Sequence, residues 1–292
     1  MTSDGRPNSV RIDELLAAGP TRSFEFFPPK SDEESAILAA SLEDIQPLEP
    51  SFVSVTYRGG RESRQRTYDL VTQIEHDGYV TAMAHVICVG HTRAEMRDLL
   101  KNYAEAGVQN IMALGGDIPD DPSAANSEFE HAIDLIALAR EIGDFSVGVA
   151  AHPDGHPRSP DRASDRRFLA EKLALADFAV TQFFFEVSEW TRLVGELAEL
   201  GVTKPVLPGI MPVTTISGIE RMKIMGGVVP VALVERLVAA ERLGGPREVR
   251  AEGIRAAITL CQELLDDHAP GLHFYTLNRS TATSEIYHAL FE

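Results

Sequence analysis

The feature that most constrains this chain is a beat. Short apolar runs, rich in β-branched and aromatic residues, recur at 22–27, 51–57, 81–89, 110–114, 146–151, 178–185, 205–213 and 272–277. Between them lie stretches with apolar residues at helical spacing. Strand alternating with helix reads as βαβ units, whose crossovers return each strand in the same direction and so make the sheet parallel. Eight units in 292 residues match the count and size of an α/β (β/α)₈ TIM barrel. The alternative is a doubly wound open sheet. No G-x-G-x-x-G follows the first run and no P-loop occurs, which favours the barrel. The expected organisation is an N-terminal segment, 1–20, followed by a single barrel domain, 21–292.

Helix punctuation supports the beat. Ser31 with Glu34, Thr92 with Glu95, Ser127 with Glu130 and Ser217 with Glu220 all have capping-box spacing. Gly107, Gly143 and Gly201 follow helical stretches, where a left-handed C′ residue favours glycine. In 188–200 the set Trp190, Leu193, Val194, Leu197 and Leu200 marks one buried helical face. The long last interval, 213–271, has room for helices around 219–225, 232–243 and 247–265.

Composition excludes several classes of function. The net charge of −17 disfavours broad binding to nucleic acid or to an anionic membrane surface. Cys88 and Cys261 are too few for a disulfide framework and are expected as buried apolar side chains. No apolar run is long enough to span a bilayer, and the N-terminus shows no targeting pattern, so the expected location is cytoplasmic.

Polar residues appear where a structural barrel would place Val, Ile or Leu. Glu25 lies in the first run, Ser54 and Thr56 in the second, and His85 in the third. The fourth run ends in Gly115, Gly116 and Asp117. His152 closes the fifth, with His156 four residues on. Gln182 lies in the sixth, and Tyr275, Asn278 and Arg279 end the last. Their convergence on one barrel end indicates a site, because unpaired burial of such groups is costly. Glu25 among Phe24, Phe26 and Phe27 is expected to have a raised pKa, as suits a general acid. Paired glycines before Asp117 would allow close approach of a ligand. Gln182 can both donate to and accept from a heterocycle edge. His152 and His156 sit in a Pro-Asp-Gly loop rather than on a helix, so no metal site is expected. A Schiff-base barrel is disfavoured by the scarcity of lysine at strand ends.

Six motifs carry a resemblance. They are Ser23-Phe24-Glu25-Phe26-Phe27-Pro28-Pro29, Phe52-Val53-Ser54-Val55-Thr56-Tyr57, Ala113-Leu114-Gly115-Gly116-Asp117, Thr181-Gln182-Phe183-Phe184-Phe185, Pro208-Gly209-Ile210-Met211-Pro212 and Phe274-Tyr275-Thr276-Leu277-Asn278-Arg279. Together they resemble the bacterial 5,10-methylenetetrahydrofolate reductases, in order and over nearly the whole chain. The resemblance implies a (β/α)₈ barrel that reduces methylenetetrahydrofolate to 5-methyltetrahydrofolate with NADH or NADPH, usually through FAD. It implies Glu25 as general acid and Asp117 as the partner of the pterin and of a developing cation. Gln182, Tyr275 and Arg279 would bind folate, and Thr56, His85, Gly116, His152, His156 and Lys172 would meet the cofactor.

The sequence also departs from the family. Gly115 stands where a basic residue is usual, and 169–177 keeps one cation, Lys172, in a turn one residue short. His152 replaces an aromatic residue, and Ile216 replaces a phenylalanine that can stack on nicotinamide. A hydrogen bond to a charged group contributes about 1.5–3 kcal/mol. Two lost contacts to a flavin diphosphate would therefore weaken binding by roughly two to four powers of ten. The sequence thus points towards direct hydride transfer without flavin. The alternatives are the same reductase using FAD, with Arg166 or Arg167 replacing the lost contacts, and a folate-binding barrel without redox chemistry. The expected partners are small molecules, a reduced folate and a nicotinamide dinucleotide; the oligomeric state is left open.

Overall fold

The computed structural model describes residues 10–57, 61–116 and 127–292, without the side chains of Arg61 and Glu62. After α1 (Ile12–Ala18), strands and helices alternate: β1 (Thr21–Phe26), α2 (Asp32–Ile45), β2 (Phe52–Val55), α3 (Arg61–Asp77), β3 (Thr81–Ile87), α4 (Arg93–Glu105), β4 (Asn110–Leu114) and α5 (Ala132–Ile142). They continue through β5 (Ser146–Ala151), α6 (Arg162–Leu175), β6 (Phe178–Thr181) and α7 (Val187–Glu199) to β7 (Val206–Leu207) and β8 (Gly209–Ile210). Three helices then run in succession, α8 (Ile216–Ile224), α9 (Val231–Gly244) and α10 (Pro246–Asp266), before β9 (Gly271–Tyr275) and α11 (Thr281–Phe291).

All pairings are parallel, in the order β7-β6-β5-β4-β3-β2-β1-β9-β8. Strands β7 and β8 are one barrel position split at Pro208. Proline has no N–H to give a ladder, so it fits where pairing changes sides. β7 pairs only with β6 and β8 only with β9, and the Pro208 carbonyl accepts from the His273 N–H at 3.0 Å. The nine strands thus occupy eight positions of a nearly closed barrel.

Strand alternation sorts the side chains. Phe24, Phe26, Val53, Val55, Ala82, Ala84 and Val86 face outward and pack with the helices in one large core. Their inward neighbours form two layers. The lower is apolar: Phe52, Met83, Met112, Phe178 and Leu207 pack with Ile12 and Leu16 of α1. Helix α1 therefore lies against the N-terminal end of the barrel. Its first turn is held by strand side chains, with the Ile12 N–H donating to Asn110 Oδ1 at 2.8 Å and the Asp13 N–H to Ser146 Oγ at 3.1 Å.

The caps show where local signals are overridden. Ser31 accepts from the Glu34 N–H, and Thr92 and Glu95 cap reciprocally, as their spacing predicts. The other two boxes move. Helix α5 starts later, capped by His131 with Asp134, while the Ser127 hydroxyl donates to the Phe129 carbonyl. In α8 the cap is Thr215, accepting from the Gly218 N–H, which leaves Ser217 inside the helix. Gly107 and Gly201 have φ of 87° and 79°, but Gly143 is extended at −163°. Helix α7 buries Trp190, Leu193 and Leu197, while Leu200 lies past its end and is exposed. Both cysteines are buried and free. Among the described residues no helix is long and apolar enough to cross a membrane.

Candidate active site

The strands' C-terminal ends open on a cavity of about 400 Å³. Glu25, Tyr57, His85, His152, Gln182 and Tyr275 reach into it, over an apolar wall that includes Met112, Leu114 and Val180. This is the end at which parallel barrels carry their chemistry.

Glu25 stands at its centre, on β1 in register with Ser54 of β2 and Tyr275 of β9. The surroundings differ from those its sequence neighbours suggest. Phe24 and Phe26 point outward, so Glu25 instead meets the inward-facing residues of other strands. Its Oε2 accepts from Ser54 Oγ at 3.2 Å and from His273 Nε2 at 3.4 Å, and His85 Nε2 lies 3.3 Å away. No described residue engages Oε1. The expected raised pKa is therefore corrected. Burial pushes Glu25 up, but the charge of His85 and the His273 hydrogen bond outweigh it and hold the carboxyl at about 2.

Asp117 lies outside the described residues. The glycines before it are described and differ in kind. Gly116 has a φ of +91°, and a Cβ there would meet Ile87 Cγ2 at 2.3 Å, so no side chain fits. At Gly115 an added Cβ would meet only the Ala132 N, at 3.9 Å, so the absence of a basic residue is not forced by space.

Gln182 lies just past β6, one residue beyond the end of its strand. Its Nε2 donates to the Met225 carbonyl at 3.3 Å and its Oε1 accepts from the Phe183 N–H at 3.0 Å. It thereby ties the sixth strand to the loop between α8 and α9. The Tyr275 hydroxyl faces the cavity wall and donates to the Thr181 carbonyl at 2.7 Å. Burial and the Glu25 charge keep this phenol well above its ordinary pKa. Arg279 is exposed on the rim after β9 and does not line the cavity. Thr56 Oγ1 is buried, with no hydrogen-bond partner among the described residues.

His152 lines the cavity beyond β5, with the His156 ring edge-on at 4.7 Å. Burial first, and His156 second, depress its pKa to about 4, so it is neutral at pH 7. The His156 N–H donates to Asp165 at 2.9 Å. Arg166 ties this loop to helices α6 and α7. It binds Asp165 at 2.8 Å, Glu196 at 2.7 Å, and the carbonyls of His152 and Pro153. Arg167 points to Ser164. Lys172 Nζ donates to the Ala150 carbonyl at 3.2 Å, and burial lowers its pKa. Of the cations considered for a flavin diphosphate, Arg166 is engaged in holding the loop and Lys172 holds a strand end.

Three contributors escape a reading of the sequence. His273 sits two residues before Tyr275, so strand periodicity alone could have placed it inward. Ser23 precedes Glu25 by the same interval and lies 2.8 Å from His273 Nδ1. Arg158 donates to the Gly116 carbonyl at 3.0 Å, bringing a guanidinium from the fifth loop to the glycine turn after β4. Nothing in its local sequence signals that contact.

An ionisable cluster at the C-terminal mouth of a parallel barrel, floored by apolar side chains, defines the site of a (β/α)₈-barrel enzyme. The family model for methylenetetrahydrofolate reductase matches residues 11–291. A 5,10-methylenetetrahydrofolate reductase of Pectobacterium carotovorum is 32% identical over 270 residues, 92% of this chain and 89% of that one. The protein of the same name from Escherichia coli is also 32% identical, covering 92% and 90%. A solved structure described as an uncharacterized protein from Clostridium thermocellum that binds two copies of 5-methyl-5,6,7,8-tetrahydrofolic acid has the same fold. Its TM-score is 0.68 at 13% identity, covering 95% of this chain and 96% of that one. The chain belongs to the methylenetetrahydrofolate reductase family and is an oxidoreductase.

Proposed function

We propose that this chain reduces 5,10-methylenetetrahydrofolate to 5-methyltetrahydrofolate by direct hydride transfer from a nicotinamide dinucleotide, without a flavin. The observation that carries the reading is Glu25. It stands inside the cavity with Oε2 held on one side and Oε1 unengaged by any described residue. A proton delivered from it to the folate's bridging nitrogen opens the five-membered ring to an iminium. Hydride transfer to the iminium carbon completes the reduction. Asp117 stabilises the cation. Gln182, Tyr275 and Arg279 contact the folate, and Thr56, His85, Gly116, His152, His156 and Lys172 contact the dinucleotide. With its carboxyl held at about 2, Glu25 is ionised in the free protein, so the acid step also requires a bound ligand to make its surroundings less polar, which favours the neutral carboxyl.

The flavin-free part rests on Gly115, where the family's usual basic residue is replaced, and on Arg166, whose guanidinium is held by Asp165, Glu196 and two loop carbonyls. One observation favours the flavin-bound alternative, the unpartnered Thr56 hydroxyl, which a flavin ring edge would satisfy.

The test is a visible spectrum and a folate-dependent NADH oxidation assay on the purified protein, with and without added FAD. Turnover at full rate in flavin-free protein is the expected result. A stoichiometric flavin band bleached by NADH would overturn direct transfer. NADH oxidation independent of methylenetetrahydrofolate would overturn the reaction itself. Glu25→Gln is expected to lower turnover by about 10²–10⁴-fold, and unchanged turnover would remove the acid role.

A further inference from the structure

A dinucleotide brings a doubly negative diphosphate to a chain whose own net charge is −17. Such a group is held where a local cation outweighs the overall repulsion. Around the barrel mouth the cations differ in what they can offer. Arg166 is buried and bound by Asp165 and Glu196, and Lys172 is turned onto the Ala150 carbonyl. Arg279 follows β9, which lies opposite β4 in the strand order. On the β4–β5 side stands Arg158, which the reaction proposed above does not use.

Arg158 is exposed in the loop after β5, and its Nη2 donates to the Gly116 carbonyl at 3.0 Å, 42 residues away in the chain. The loop around it is fixed from within. Asp165 Oδ1 accepts from the His156 N–H at 2.9 Å and from Ser159 Oγ at 3.0 Å. The Arg158 N–H donates to His156 Nδ1 at 3.1 Å. Asp165 is itself paired with Arg166 at 2.8 Å. The backbone on both sides of Arg158 is thus held, and its side chain is aimed across the mouth at the turn after β4. Among the described residues no carboxylate pairs with it, and its guanidinium has N–H groups beyond the one given to Gly116.

That turn is bare. Gly116 can carry no side chain and Gly115 has open space where one would be. Leu114 before the turn and His152 before the Arg158 loop both line the cavity. A cavity of about 400 Å³ that also takes a pterin has no room for a whole dinucleotide. A nicotinamide beside Glu25 therefore leaves its diphosphate at the rim.

We propose that Arg158 is a diphosphate-binding residue, whose guanidinium, laid over the glycine turn after β4, takes the diphosphate of the dinucleotide that enters on that side. It supplies from the loop after β5 a charge that Gly115 does not carry. One N–H stays on the Gly116 carbonyl while the rest of the fork meets phosphate oxygens. This role rests on the dinucleotide reading given above. A nicotinamide dinucleotide and FAD share the diphosphate, and the test separates them.

The experiment is equilibrium titration of the full chain with NADH, NADPH, ADP-ribose, FAD and 5-methyltetrahydrofolate, for the wild type, Arg158→Ala and Arg158→Gln. ADP-ribose carries the diphosphate without the nicotinamide. Arg158→Ala is expected to weaken NADH, NADPH and ADP-ribose alike by about tenfold or more, the effect of one charge-assisted hydrogen bond. Its affinity for 5-methyltetrahydrofolate should hold. Arg158→Gln keeps an N–H donor without the charge and should lose nearly as much. Wild-type affinity in the glutamine variant would make the residue a tether of the turn and overturn the proposal. An equal loss of folate affinity, the mark of a distorted turn, overturns it too. So do unchanged affinities for every dinucleotide, or a loss confined to NADPH, which would put the guanidinium on the 2′-phosphate. A loss of FAD affinity in place of NADH affinity would uphold the diphosphate contact and overturn direct transfer instead. These are binding measurements. Absence of folate-dependent NADH oxidation would sink the reaction proposed above, while the titrations would still decide the role of Arg158.

Discussion

The Tyr275 hydroxyl donates to the Thr181 carbonyl at 2.7 Å, joining β9 to β6 across the strand that Pro208 divides. Gly209 makes this possible. A Cβ there would lie 2.3 Å from the Thr181 carbonyl oxygen and 2.5 Å from the Tyr275 ring. The Gly209 N–H in turn donates to Thr181 Oγ1 at 2.9 Å. Where backbone ladders are interrupted, side chains close the barrel beside the cavity. Tyr275→Phe should cost about 1–2 kcal/mol of stability, because it leaves a buried carbonyl without its donor. Gly209→Ala should cost about 1–3 kcal/mol by overpacking against backbone. Urea unfolding of both variants measures this, and losses below ~0.5 kcal/mol would show the stitch to be incidental.

His152 makes stability depend on pH in a defined window. Its folded pKa is about 4 against an ordinary 6.5. Between those values the unfolded chain binds a proton that the folded chain refuses, so stability falls as pH falls from about 6.5 to about 4. His152→Phe keeps a ring in the wall and removes the titration. The variant's thermal midpoint should fall less over that interval than the wild type's; parallel curves would place the titrating group elsewhere.

Gly115 is open and Gly116 is not. Gly115→Arg should fold normally and gain at least about tenfold in FAD affinity, the effect of one charge-assisted hydrogen bond of about 1.5–3 kcal/mol. Fluorescence titration of FAD reads the gain. No gain in a folded Gly115→Arg protein would mean that Gly115 does not set the protein's affinity for flavin. Gly116→Ala is the contrasting control. It should destabilise the protein, because its φ is +91° and its Cβ would overlap Ile87 and Val89.

Ile12 and Leu16 fill the base of the barrel rather than decorate its surface. Truncation of either to alanine should cost about 2–5 kcal/mol, since the strand layer above cannot collapse into the space left. Denaturant midpoints at constant m-value would check this. Costs near those of surface substitutions would mean that α1 does not pack in solution as it does here.

The alternation of eight strands with helices was legible because hydrophobic period is a local property, set by each element's need to bury one face. The three helices after β8 were legible for the same reason. Two capping boxes were misplaced because several hydroxyl and acidic residues compete near each helix start. Packing chooses among them: His131 and Thr215 took positions that spacing assigned to Ser127 and Ser217.

Site residues divide along the same line. The sequence by itself determined that Glu25, His85, Gln182 and Tyr275 share the end of the barrel at which the strands terminate, because period and direction follow from chain order. Only the tertiary structure decided their chemistry. Glu25 was read against Phe24 and Phe26, its neighbours in sequence, and a raised pKa followed. Its neighbours in space are His85, His273 and Ser54, from three other strands, and the two histidines hold it ionised. A pKa is the sum of fields from groups within a few ångströms. In a closed barrel those groups arrive from strands up to 248 residues away in the chain.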